Sequence, residues 1–244
     1  MPATKGAMQA KIKEKREVAK GTLMVTFDLL GEDVDFTPGQ YFWVELLDPP
    51  YDDEKGARRH ITVVTSPTEK GVLGLATRLR DSAFKKSLAE LPEGAPVDVE
   101  QPKGNFLLPE DTSKEYVFVA GGIGITPFHC MLRYIADKGL DDYRITLVYS
   151  NRDRESAAFF DELHELEGVI PGLRVVCTMD NDPAWEGESR RISAEMLQDV
   201  LGSDLSSFHF MIAGPPGMAK GVKAAILEAG VPEEQVQSDS FSGY

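Results

Sequence analysis

Across residues 1–111 the apolar positions fall in short runs, and turn signals separate them. Met8–Val18, Thr22–Leu29, Gln40–Leu46, Arg59–Thr65, Val72–Arg78 and Pro96–Glu100 read as strands. Lys20-Gly21, Pro38-Gly39, Asp48-Pro49-Pro50, Ser66-Pro67 and Glu93-Gly94 punctuate them. One helix interrupts, Ala83–Glu90, with Phe84, Leu88 and Leu91 at helical spacing. The acidic stretch Asp48–Ala57 reads as a surface loop, with a mobile flap as the alternative. Many short strands with regular punctuation predict an antiparallel barrel or sandwich.

After the polar connector Pro102–Lys114 the period changes. Strands are expected at Tyr116–Ala120, Arg144–Tyr149, Leu173–Thr178 and Phe208–Ala213. Helices alternate with them. Phe128, Met131, Leu132 and Ile135 form one apolar face that Gly139 ends, and Phe159, Phe160, Leu163 and Leu166 form another. Ser193 caps a third helix, and a fourth runs through Val222, Ile226 and Leu227 to Gly230. Strand–helix alternation predicts a parallel sheet with right-handed crossovers. The chain therefore divides into residues 1–111 and 112–244.

The sharpest chemical signal opens the second half. Phe118 to Phe128 reads as a buried strand, a glycine-rich turn and a helix start. In Gly122-x-Gly124-x-x-Pro127 the glycines admit a phosphate close to the backbone, and the helix N-terminus supplies free N–H groups and positive potential. Thr126 is read as the N-cap and Pro127 as the first helical residue. A second turn, Gly214-Pro215-Pro216-Gly217-Met218, follows the last expected strand at the sheet edge where ligands bind in such folds; a purely structural turn is the alternative. Arg59-His60-Ile61-Thr62 places a cation and a hydroxyl on one strand. It suits a cofactor phosphate and ring, or an ordinary surface arginine beside a strand threonine.

Composition narrows the class. With 42% hydrophobic and 27% charged residues the 244-residue chain is globular. A net charge of -14 argues against nucleic-acid and anionic-membrane binding. Cys130 and Cys177 lie far apart, and His60, His129, His164 and His209 are scattered, so no metal site is expected. Met1–Lys20 lacks the apolar core of a signal peptide, and no apolar run approaches membrane-spanning length. A cytoplasmic protein is expected.

Taken in order, Arg59-x-Ile61-Thr62, Gly121-Gly122-Ile123-Gly124-Ile125-Thr126-Pro127, Gly214-Pro215-Pro216-Gly217-Met218 and the terminal Asp239-to-Tyr244 segment resemble the ferredoxin–NADP reductase superfamily, over nearly the whole chain. The resemblance implies a two-domain fold: an N-terminal antiparallel Greek-key β-barrel that binds flavin, then a Rossmann-like α/β domain that binds NAD(P)H. It implies hydride transfer between nicotinamide and the N5 atom of FAD, with FMN as the alternative flavin. Electrons would pass on to a separate ferredoxin-like iron–sulfur protein or oxygenase component. A freestanding NAD(P)H:flavin or ferric reductase, and an electron-transfer flavin subunit of a larger complex, are the alternative readings.

Site roles follow from the same resemblance. Arg59 meets the flavin phosphate and Thr62 lies near N5, with His60 and Ile61 beside them; Ile61 stands where the family has tyrosine. Ser82, Ala83, Phe84, Lys85 and Lys86 form the turn and short helix over the pyrophosphate, although the two lysines also suit a solvated helix face. Thr77 and Arg78 line the ring edge. Gly122, Gly124, Thr126 and Pro127 take the NAD(P)H pyrophosphate. Gly214, Pro215 and Met218 lie by the nicotinamide, with Ala213 in place of the family's cysteine. Asp239 and Phe241 match the family's acidic residue, spacer and aromatic, and Tyr244 rivals Phe241 as ring cover. Arg152 or Arg154 can pair with a 2′-phosphate. Asp153 suits a ribose instead, and Asp180 to Asp182 offer no cation, which leans the reading to NADH.

Overall fold

A computed structural model describes residues 6–240. Its first sheet contains β1 (Ala7–Ala19), β2 (Thr22–Asp28), β3 (Tyr41–Leu46), β4 (Arg58–Thr62), β5 (Val72–Arg78) and β6 (Pro96–Glu100). The strands run antiparallel in the order β4-β3-β6-β1-β2-β5. The two outer strands then meet, because Val64 N donates to Gly74 O at 2.9 Å and Gly74 N to Thr65 Oγ1 at 3.0 Å. That closure makes the barrel. It also explains why β4 stops at Thr62 rather than Thr65: the chain leaves β3 after Val63 and crosses to β5. Gly74 permits the crossing, since a Cβ there would stand 2.6 Å from the Thr65 methyl. Alternate residues of the strands fill the interior, with Val25, Phe27, Phe42, Val44, Leu73, Leu75, Val97 and Val99 all buried. Helix α1 (Ala83–Glu90) plugs one end with Phe84 and Leu88.

The second sheet contains β7 (Glu115–Gly121), β8 (Arg144–Asn151), β9 (Leu173–Met179), β10 (Phe208–Gly214) and β11 (Val236–Ser240). All pairings are parallel, in the order β11-β10-β7-β8-β9. Helices α2 (Thr126–Lys138), α3 (Phe160–Val169), α4 (Ala194–Leu201) and α5 (Pro216–Glu228) cover its faces. Strand β7 serves both layers. Tyr116, Phe118 and Ala120 join Phe128, Met131 and Leu163, while Val117 and Val119 join Met196, Ile212 and Ile226. Phe118 stacks on Phe128 with centroids 4.7 Å apart. Gly139 ends α2 in the left-handed conformation, and Ser193 Oγ caps α4 by accepting from Met196 N at 3.1 Å.

The two halves share an interior. Val64, Ala76, Phe106 and Leu108 from the barrel side belong to the same apolar cluster as the α2 and α3 residues. Polar bonds reinforce the seam. His129 stands 3.0 Å from Val64 O through Nδ1 and 3.0 Å from the Glu162 carboxylate through Nε2. Arg16 of β1 donates to the same carboxylate at 2.7 Å. His129 and Arg16 together pull the Glu162 carboxyl down to about 2. The Cys130 thiol donates to Thr65 O at 3.0 Å, and burial pushes it up to about 12. Among the described residues no helix is long and apolar enough to cross a membrane.

Candidate functional site

A cavity of about 210 Å³ opens where barrel and sheet meet. Strand β4 turns Arg59, His60, Ile61 and Thr62 toward it, β5 adds Ala76 and Thr77, and α1 adds Phe84 and Lys85. The sheet half contributes Ile123 and Thr126 from the glycine turn, and Asp239 and Ser240 from β11. Tyr41 completes the wall because the antiparallel register sets it opposite Thr62. Residues as far apart in the chain as Tyr41 and Ser240 are thus gathered into one slot. Four lining residues were not foreseen: Tyr41, Ala76, Ile123 and Ser240. Their positions follow from strand pairing and domain contact, which leave no local mark in the sequence.

One end of the slot is strongly positive. Arg59 is only 5% exposed. Its Nη1 donates to the carbonyls of Lys55, Gly56 and Arg58 at 2.9, 2.8 and 2.8 Å. Its guanidinium lies 5.2 Å from the Phe84 ring centre. Nη2 is buried without a hydrogen bond, and the Asp53 carboxylate stands 3.7 Å away. Lys85 is also buried and makes no ion pair among the described residues. Burial pulls its ammonium down to about 8, and Arg80, Arg59 and Lys55 add repulsion. An incompletely bonded buried guanidinium beside a buried ammonium is costly unless an anion joins them. The arrangement suits a phosphate. Ser82 occupies the N-cap position of α1 with no side-chain capping bond. Lys86, by contrast, points to solvent and pairs with Asp81 at 2.7 Å.

The other end is acidic and aromatic. Burial raises the Asp239 carboxyl, while the Ser240 backbone N–H and His60 partly offset the shift. Burial lowers His60, against the pull of Asp239. The imidazole rests against Trp43 and Tyr41, with centroids 4.8 and 5.4 Å away. Thr62, 3% exposed, ends β4 and lines the same slot. Phe241 and Tyr244 lie outside the described residues.

The glycine turn borders the slot. Gly122 has φ +52°, and the 3-10 turn Gly122–Ile125 runs directly into α2. Thr126 is therefore not the N-cap. It lies inside the first turn, and its hydroxyl donates back to Ile123 O at 3.2 Å. Pro127 is accordingly the second helical residue rather than the first, still within the turn that tolerates proline. A Cβ on Gly124 would collide with the carbonyl of Ala213, so only glycine lets the turn sit against β10. Gly214 closes β10 and Pro215 precedes α5, while Met218 sulfur packs where side chains on Gly121 or Gly214 would stand. Arg78 lies over Gly122 and donates to Ser156 O at 3.1 Å, at the rim rather than within the slot. Arg152 is exposed. Arg154 is already committed to Asp161 at 3.1 Å and to the Phe160 face at 4.8 Å. Asp182 accepts from Arg154 N, and Arg191 pairs with Asp180 at 3.3 Å. Among the described residues no cluster of histidine, cysteine and carboxylate side chains can hold a metal.

Known proteins share both halves. The family description "Oxidoreductase FAD-binding domain" matches residues 9–107, and "Oxidoreductase NAD-binding domain" matches residues 118–224. NADH-cytochrome b5 reductase 2 of Lodderomyces elongisporus is 26% identical over 242 residues, covering 95% of this chain and 80% of that protein. Methane monooxygenase component C of Methylosinus trichosporium is 32% identical over 178 residues, covering 72% of this chain and 50% of that protein. In fold, a ferredoxin NADP+ reductase from Neisseria gonorrhoeae with bound FAD and NADP aligns with a TM-score of 0.80 at 21% identity. That alignment covers 98% of this chain and 99% of the other.

Proposed function

Because the chain belongs to the ferredoxin–NADP reductase superfamily, an oxidoreductase family with FAD- and NAD-binding halves, we propose that it draws electrons from NADH and delivers them to a separate acceptor protein. The division falls at residues 111 and 112. One observation carries this reading: the interdomain slot joins an anion-seeking pair, Arg59 and Lys85, to the glycine turn through a wall that includes Thr62. The fit is chemical, since the phosphates of FAD would satisfy the orphaned Nη2 of Arg59. Bound FAD would supply the conversion of a two-electron hydride into single electrons.

The chain's own residues position and exclude. Arg59, Lys85 and the backbone at Ser82 and Ala83 hold phosphate. His60, Ile61, Thr77 and Phe84 wall the ring and keep water out, with Arg78 at the rim. The Thr62 hydroxyl is offered to the ring's reacting edge. Gly122, Gly124, Thr126 and Pro127 bring the nicotinamide nucleotide's pyrophosphate against the start of α2. Gly214, Pro215 and Met218 set the nicotinamide's approach. Asp239, its carboxyl raised by burial, is the acidic group placed to exchange a proton next to the slot. Phe241 and Tyr244 keep the ring-covering part that the resemblance implies. Arg152 is the remaining cation for a 2′-phosphate. With Arg154 engaged and Asp180 and Asp182 close by, NADH is the favoured donor.

The acceptor is a metal-centre protein: an oxygenase component, a ferredoxin or a haem protein of the cytochrome b5 kind, as the names of the relatives suggest. Two buried free thiols support a reducing, cytoplasmic setting. A second reading, a reductase of free flavin or ferric iron, draws on Ile61, which lines the slot where the family has an aromatic ring. The test is spectroscopic. The purified chain should carry absorbance at about 450 nm, bleach on anaerobic NADH, and reoxidise with a one-electron protein acceptor. Absence of any flavin uptake would overturn the reading. Freely exchanging flavin, with activity on small acceptors alone, would favour the second.

A further inference from the structure

The loop between β3 and β4 folds back over α1. Tyr51 N donates to Ser87 Oγ at 3.1 Å, Ser87 Oγ donates to Tyr51 O at 3.2 Å, and Tyr51 Oη reaches the Glu90 carboxylate at 3.0 Å. Farther along, the Lys55 and Gly56 carbonyls accept from Arg59 Nη1. Between these anchors stands Asp53. One carboxylate oxygen accepts from Ala83 N, the first N–H of α1, at 3.2 Å. The other accepts from Lys55 N within the loop at 2.9 Å and lies 3.7 Å from Arg59 Nη2, the buried nitrogen that lacks a hydrogen bond among the described residues. A carboxylate shared between a helix N-terminus and a guanidinium occupies an anion site from within. It fits loosely. The separations from Ala83 N and Arg59 Nη2 both exceed the ~2.7–2.9 Å of a good charge-assisted bond, and the Asp53 side chain keeps 35% of its surface in water.

We propose that Asp53 is a built-in competitor for the phosphate subsite, so that it sets how strongly the protein discriminates phosphorylated flavin from riboflavin. This rests on the flavin reading given above. A flavin phosphate must displace the carboxylate from Ala83 N and Arg59 before it can bond them. Riboflavin brings no phosphate and leaves Asp53 in place. The buried Lys85 ammonium, which lines the same cavity as Arg59 and makes no ion pair among the described residues, strengthens the pull on the incoming anion. The loop read from sequence as acidic surface thereby acquires a part in selecting the cofactor.

The experiment titrates the full chain with FAD and with riboflavin, following the quenching of flavin fluorescence. Asp53→Asn keeps the shape and removes the charge. It should lower the Kd for FAD by about fivefold to tenfold and leave riboflavin within about twofold. Asp53→Ser should do the same, and melting temperatures check that each variant is folded. Glu54→Gln removes an equal charge from the same exposed loop and should change neither Kd. FAD binding that is unchanged or weaker in both Asp53 variants overturns the proposal. So does equal tightening in Glu54→Gln, which would reveal a general charge effect. If the wild type takes up neither flavin, the cofactor reading falls, and this proposal with it. FAD uptake without the Asp53 gain removes this proposal alone.

Discussion

The His129–Glu162–Arg16 clasp yields a prediction whose sign and size follow from the structure. Replacing Glu162 by Gln keeps a hydrogen-bonding side chain and removes the charge that His129 and Arg16 face at 3.0 and 2.7 Å. The carboxyl is held at about 2 against an ordinary 4.5. At ~1.4 kcal/mol per unit the full effect would be ~3 kcal/mol. Glu162 remains partly open to water, however, and screening brings the expected loss to ~1–2 kcal/mol at neutral pH. For a chain of this size that corresponds to a fall in Tm of roughly 2–8 °C. The folded pKa lies below the unfolded one. The clasp's contribution is therefore complete above the unfolded pKa and is lost as pH falls through the folded value. The gap between wild type and Glu162→Gln should shrink below about pH 4.5 and drop to less than half by about pH 3. Urea unfolding at pH 7 and pH 3 measures it. Equal gaps at the two pH values, or none at pH 7, would refute the assignment of the shift to this clasp.

Three further outcomes are expected. Thr62→Val should slow flavin reduction by NADH at least tenfold, with little change in nucleotide affinity, because it removes one hydroxyl from the slot and keeps the shape; stopped-flow traces showing equal loss in both would contradict the role. Gly124→Ala must push a methyl into the Ala213 carbonyl and to 2.7 Å from Gly214 Cα, costing ~1–3 kcal/mol and weakening NADH binding; an unaltered melting curve would count against the close approach. Cys130, with its thiol raised to about 12 by burial, should resist disulfide reagents at pH 8 until urea unfolds the chain, and prompt labelling of the native protein would show the junction to be open.

The central strands of the parallel sheet were legible because they are apolar on both faces: Val117 to Ala120 and Phe210 to Ala213 are unbroken hydrophobic runs. Strand β11 escaped notice for the opposite reason. Of Val236–Ser240 only Val236 is buried, so pairing with β10 rather than any hydrophobic pattern defines it. That pairing carries Asp239 to the slot. Arg59, Thr62 and the glycine turn stood out through residue type and order alone. Thr126 was misplaced as a cap because the 3-10 turn begins winding four residues earlier than a threonine–proline signal suggests. Asp53 left no trace in the sequence beyond an acidic loop. Its importance comes from contacts with Ala83 and Arg59, which only the folded loop creates.

The shared placement of Val64, Ala76, Phe106 and Leu108 among the α2 and α3 side chains means that neither half is a detachable module. A fragment cut near residue 111 would strand that apolar ridge in water and, at ~25 cal/mol for each Å² uncovered, invite aggregation. Grafting a foreign nucleotide domain onto this barrel would demand redesign of the ridge before any active-centre residue is altered.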